Sequence, residues 1–188
     1  MQNIKYSHPI GRDFQRIYDQ KKLNICVFLV KVCINVSFRA VILYRVGHWL
    51  YKNRHPTLAK ITENLNFYLD QCTISVKADI GPGFLIAHTH GLVIGEGCVI
   101  GENCDVRQNV TIGGNWSKQV DGRMYPTIGD NVSISAGAVI VGPLNIGSNS
   151  IIGANTVVTK DVPESSIVSG IPAKIIGQKW SEESNRKL

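Results

Sequence analysis

Isoleucine or valine stands at positions 74, 80 and 86, then at 94, 100, 106 and 112, then at 128, 134, 140, 146, 152 and 158, with a spacing of six within each run. Two extra residues separate Ile86 from Ile94 and ten separate Ile112 from Ile128, which places an inserted loop at about 113–127. Many hexads follow the apolar residue with glycine, two polar residues and a small one, as in Ile94-Gly-Glu-Gly-Cys-Val and Ile152-Gly-Ala-Asn-Thr-Val. A short strand alternates its side chains in and out, and Gly or Asn suits the positive φ of a tight turn. Three strand-turn units per coil build a parallel β-helix of about eighteen residues per coil, each leading Ile or Val stacking on the one a coil further on. Full burial of each contributes about 1.5–3 kcal/mol. Thirteen such positions therefore support a core in a chain with only 7% aromatic residues.

Charge and glycine divide the 188 residues at about position 72. Residues 1–72 hold eleven Lys/Arg against four Asp/Glu, whereas 73–188 hold nine against ten, so the net charge of +6 belongs to the first part. Sixteen of the eighteen glycines follow residue 73. Five cysteines (Cys26, Cys33, Cys72, Cys98 and Cys104) show no paired spacing and no metal-ligand pattern, and a reduced, cytoplasmic setting is expected. Cys98 and Cys104 take inward positions of their hexads and read as core. The start, Met1-Gln-Asn-Ile-Lys, is polar, so no secretory leader is expected. Lys31, Arg39 and Arg45 interrupt the apolar stretch from Leu23 to Leu50, which leaves no uncharged run near the roughly 20 residues of a membrane span.

The first part reads as helical. Leu23 to Tyr51 has no proline and no glycine before Gly47, with Lys31, Asn35, Arg39 and His48 at roughly helical spacing on a polar side; a second helix is expected over Leu58 to Leu69. The leading reading of residues 1–71 is a cap over the open end of the solenoid. A peripheral contact with an acidic membrane surface is the alternative. No motif supports nucleic-acid binding.

The repeat resembles the hexapeptide-repeat acyltransferase family, over residues 72–177, with Gly170-Ile-Pro-Ala-Lys174 as its closing motif and 178–188 as a tail. The resemblance implies a mainly β fold: a left-handed parallel β-helix behind an N-terminal α-helical segment, commonly a homotrimer. Within the family, Gly83-Phe-Leu-Ile-Ala-His88-Thr-His-Gly-Leu-Val-Ile-Gly and Val110-Thr-Ile-Gly-Gly114 resemble serine acetyltransferases. Tyr44-Arg-Val46, Arg107 and the short basic N-terminus resemble colanic acid and exopolysaccharide O-acetyltransferases more closely.

His88 and His90 interrupt a hexad, and the register slips by two residues directly after them. A local rule broken at one point marks a functional position. Acyl transfer from a thioester to a hydroxyl needs a base near neutrality, which imidazole supplies. The resemblance assigns that role to His88. His90, at the fifth and normally inward place of its hexad, reads either as a core or turn residue or as an acceptor contact. Three histidines for zinc are not available in the repeat, so no metal is expected.

For acetyl-CoA, the resemblance places pantetheine contacts on Ala136 and Ala154, stacked on adjacent coils, and phosphate contacts on Thr159, Lys160 and Lys174. Gly113 and Gly114 would let backbone N–H groups approach the thioester oxygen, or simply open the inserted loop. The aspartates that serine acetyltransferases carry before the catalytic histidine and upstream at the start of the β-helix correspond here to Ala87 and Thr73. The histidine motif of their loop corresponds to Asp121-Gly-Arg-Met-Tyr125-Pro126. The expected acceptor is therefore a sugar hydroxyl of a surface-polysaccharide precursor, met by His90, Arg107, Asn109 and Tyr125. A serine acceptor is the alternative, and a non-catalytic β-helical scaffold is the second.

Overall fold

A computed structural model describes residues 8–18, 25–117, 119–120 and 122–179. From Thr73 onward the chain winds through three narrow parallel sheets, one per face of a solenoid. The first face carries Thr73–Ile74, Val93–Ile94, Thr111–Gly113, Val139–Val141 and Val157–Val158. The second carries Asp79–Ile80, Val99–Ile100, Thr127–Ile128 and Asn145–Ile146, and the third Leu85–Ile86, Asp105–Val106, Ser133–Ile134, Ile151–Ile152 and Ser166–Ser169. Ile74 lies over Ile94, Ile94 over Ile112, Ile112 over Ile140 and Ile140 over Val158. The eighteen-residue step thus holds only between coils without an insertion; the histidine segment and the loop before Thr127 lengthen it.

Each of these stacked residues is buried. Their turns are closed by asparagines in the left-handed region: Asn103, Asn109, Asn131, Asn149 and Asn155 have φ between 54° and 62°. Cys98 and Cys104 lie in the core as expected, and burial pushes their thiols up to about 12 and about 11. At the far end Lys174–Gln178 turns back as an antiparallel strand on Ser166–Ser169, a feature with no hexad signal.

Four helices precede the coils: α1 (Pro9–Tyr18), α2 (Ile25–Ile34), α3 (Val36–Lys52) and α4 (Pro56–Asp70). The single helix expected from Leu23 to Tyr51 is broken, and Leu23 itself lies outside the described residues. Asn35, read from sequence as one residue of a polar stripe, is extended at φ −106° and ψ 103°, and its Oδ1 accepts from Phe38 N–H at 2.9 Å as the N-cap of α3. The chain bends by 108° there.

The helices pack on the first coil. Ala40, Val41 and Tyr44 of α3 join the solenoid core. Tyr44 Oη donates to Ala78 O at 2.9 Å and accepts from Ile80 N–H at 3.2 Å. Gly47 is required where α3 crosses α4 and Val76, because a Cβ there would lie 2.2 Å from Thr62 Oγ1. Four arginines meet carboxylates: Arg45 pairs with Asp13, Arg39 with Asp70, Arg12 with Glu102 and Arg16 with Asp105. Glu102 and Asp105 on the coils offset two charges of the basic excess, while Asp13 and Asp70 belong to the helical part itself.

Candidate active site

The corner between the third and first faces carries the register break. Ala87 N–H donates to Val106 O at 2.9 Å, and two positions later the coil rejoins the column where Asn109 N–H donates to His90 O at 2.9 Å. His88 and Thr89 are the extra residues, forming an arch over Arg107 and Gln108. His88 is exposed at its crest and has no hydrogen-bond partner among the described residues. An unpaired imidazole at a corner, between a strand paired on one side and a strand paired on both, is available to a substrate hydroxyl.

The same corner continues down the solenoid. Gly137 N–H donates to Gln108 O at 3.0 Å and Asn155 N–H to Ala136 O at 2.9 Å, so Ala136 and Ala154 stack below the arch as expected. Their small side chains leave the edge of the first face shallow. His90 corrects the sequence reading: it is exposed, and Leu92 takes the inward place of that coil, aligned with Val110 through the Val93 N–H bond of 2.8 Å to Val110 O. The two-residue insertion moves the inward place from position 90 to position 92. Arg107 is exposed, with no carboxylate partner among the described residues. Asn109 is a turn residue, φ 58°, and Gly91 is glycine because a Cβ there would meet Asn109 Oδ1 at 2.3 Å. That structural task accounts for Asn109.

Gly113, Gly114, Tyr125, Thr159 and Lys160 stand at the opposite edge of the first face, so one chain does not bring them to His88. The two glycines differ. Gly113 ends its strand opposite Val141, and a Cβ on it would meet nothing within 4 Å. No packing within the chain requires glycine there. A Cβ on Gly114 would lie 2.8 Å from the Tyr125 ring, which also fills the space over Gly97. Tyr125 is thus half-buried on a floor of glycines, its phenol 3.5 Å from Glu96 Oε1, and desolvation followed by the Glu96 charge pushes that phenol up. Glu96 is itself held below the usual carboxylate range by Lys77, 2.7 Å away. Asp121 of the loop motif lies outside the described residues.

Thr159, Lys160 and Lys174 meet in one cleft of about 290 Å³ closed by Pro172 and Ala173. A second cleft of about 290 Å³, lined by Asn115, Gly142 and Leu144, shares Thr159. Together they form a trough along that edge with two ammonium groups at its end. Among the described residues no cluster of three or more His, Cys, Asp or Glu side chains is placed to hold a metal ion.

Two residues at the arch escape the hexad pattern. Thr89 is buried at 2% exposure with Oγ1 unpartnered, and Gln108 Oε1 is buried and unpartnered beneath. Buried polar atoms are normally hydrogen-bonded. The slip in register was the available signal, but it marked the two histidines and not the polar groups under them.

Residues 125–160 match the family described as bacterial transferase hexapeptide (six repeats). A serine acetyltransferase of Synechococcus elongatus is 36% identical over 89% of this chain and 67% of its own length. The chain belongs to the hexapeptide-repeat acyltransferase family. Two solved members show the same fold. Serine acetyltransferase from Brucella abortus strain S19 in complex with coenzyme A has TM-score 0.81 at 33% identity, over 93% of this chain and 69% of that one. Neisseria gonorrhoeae serine acetyltransferase in complex with serine has TM-score 0.77 at 34% identity, over 89% and 67%. The parallel faces and preceding helices are consistent with the left-handed β-helix that the resemblance implies. This chain spans 58% of a Mycobacterium tuberculosis relative and 55% of an Escherichia coli one. These relatives carry the name serine acetyltransferase, so the expected closer likeness to exopolysaccharide enzymes is not supported.

Proposed function

We propose that this chain is an acetyl-CoA-dependent O-acetyltransferase with His88 as general base, and that serine is its acceptor. The observation that carries the chemistry is the arch, which lifts one unpaired imidazole out of an otherwise regular coil. The serine and coenzyme A complexes of relatives at 33–34% identity support donor and acceptor. In the reaction His88 takes the proton of the hydroxyl as its oxygen attacks the thioester carbonyl. Backbone N–H groups near Gly113 and Gly114 hold the oxyanion of the tetrahedral intermediate. The C–S bond then breaks, and the imidazolium returns its proton to the departing CoA sulfur.

In this reading the donor lies between two copies, its phosphates at Lys160 and Lys174 of one and its pantetheine against Ala136 and Ala154 of the next. His88 and the trough occupy opposite edges of one face, so a homotrimer that sets the arch of one copy against the trough edge of the next completes the site. A second reading, a neutral sugar hydroxyl, draws on Thr73, Ala87 and Tyr125, where the resemblance expects two aspartates and a histidine. Ala87, exposed beside His88, offers no carboxylate to an ammonium group.

Thiol release from acetyl-CoA, followed with L-serine and with sugar acceptors, tests the proposal. Turnover with serine supports it, and turnover with sugars alone transfers the activity to the second reading. No turnover and no CoA binding would leave a β-helical scaffold.

A further inference from the structure

We propose that α2 is an interfacial anchor that seats this chain on an anionic lipid surface. Its sequence, Ile-Cys-Val-Phe-Leu-Val-Lys-Val-Cys-Ile, holds one charged residue, and none of its ten residues is buried. Ile25, Leu29, Val30 and Ile34 are between 55% and 68% exposed. A helix that is apolar on all sides belongs in an apolar medium, either a protein core or a membrane. Ten residues reach about 15 Å, half the thickness of a bilayer core. No single described helix is long and apolar enough to cross a membrane. The geometry suits a helix lying in the interface plane.

The Phe28 ring tethers α2 to the body of the protein, with centroids 5.5 Å from Phe38 and 6.0 Å from Phe14. The 108° bend at Asn35 turns the helix away from α3, and Val36 continues its exposed surface. Charge selects the occupant. Among described residues 8–55 the sole carboxylate is Asp13, buried against Arg45, while Lys31 of α2 lies 4.6 Å from the Tyr18 ring centroid and has no carboxylate partner among the described residues. Asp19, Lys21 and Lys22 precede the helix in sequence. With three lysines against one aspartate over residues 19–36, the segment attracts anionic headgroups and repels a second copy of itself. Two charges of the basic excess are offset on the coils by Glu102 and Asp105; the apolar helix and the cations left over carry this proposal.

Flotation of the full chain with phosphatidylcholine vesicles, with and without phosphatidylglycerol, tests it. Binding is expected with the anionic vesicles and at least about tenfold less without them. The Leu29→Glu/Val30→Glu pair should weaken partitioning at least about tenfold, with helix content and thiol release unchanged. Independently, Trp emission in Leu29→Trp should be quenched by brominated lipid. Wild-type protein that ignores anionic vesicles, or a Glu pair that floats as well as wild type, overturns the proposal. So does a Glu pair that sediments as a smaller assembly than wild type, because α2 is then a contact between copies.

Discussion

The Asp13 carboxylate and the Arg45 guanidinium form a buried ion pair through bonds of 2.8 and 3.1 Å that ties α1 and α3 to the first coil. Asp13 also accepts from Phe84 N–H at 2.9 Å, and Arg45 donates to Ile80 O and Gly81 O. One ion pair therefore satisfies three backbone groups at the open end of the solenoid. Arg45→Ala leaves a buried carboxylate without its counter-charge and takes the guanidinium donor from two carbonyls, at a cost of about 3–5 kcal/mol. Urea unfolding should show that loss. Exchanging both residues for apolar ones of similar volume should cost less than Arg45→Ala alone.

His88→Ala should lower turnover by about 10²–10⁴ and leave affinity for CoA unchanged, because a general base acts on the acceptor hydroxyl and the CoA phosphates are assigned to Lys160 and Lys174. Steady-state kinetics with calorimetric CoA titration checks both. A variant with unimpaired acetyl transfer would end the assignment of His88 as the base.

Gly113→Ala should be neutral for folding, within about 0.5 kcal/mol, since the added methyl meets open space and the position lacks a positive φ. If the donor thioester lies against that backbone, the KM for acetyl-CoA should rise while the melting temperature stays put. Lys160→Ala and Lys174→Ala should raise the same KM and leave the acceptor KM unaffected. Equal KM values in all three variants would remove the donor from this edge.

Alkylation of the native protein near neutrality should modify the exposed Cys26 and Cys33 and spare Cys72, Cys98 and Cys104 until the chain unfolds. Burial raises the latter three to about 12, about 12 and about 11. An unfolded thiol ionises near its ordinary value, so alkali favours the unfolded chain first. Stability should be constant below about pH 8.5 and fall toward pH 11–12. Replacing Cys98 and Cys104 by Ala should flatten that fall, read from denaturation midpoints across the range.

The sequence by itself determined the solenoid, because a six-residue recurrence of Ile and Val admits one way of burying every member, and the Asn and Gly between them supply the turns. It also singled out His88, where the recurrence slips. Three things were decided only by tertiary contact. Asn35 has the helical spacing of a stripe, yet its side chain caps α3, because a bend there lets Phe38 and Tyr44 pack while α2 turns outward. Counting six puts His90 at a normally inward place, but the two-residue insertion hands that place to Leu92 and leaves Thr89 as the buried member of the arch. The arginines looked like a charged surface because composition records charge without direction. Their partners, Asp13, Asp70, Glu102 and Asp105, are up to ninety residues away in sequence, and only folding turns those side chains toward the coil.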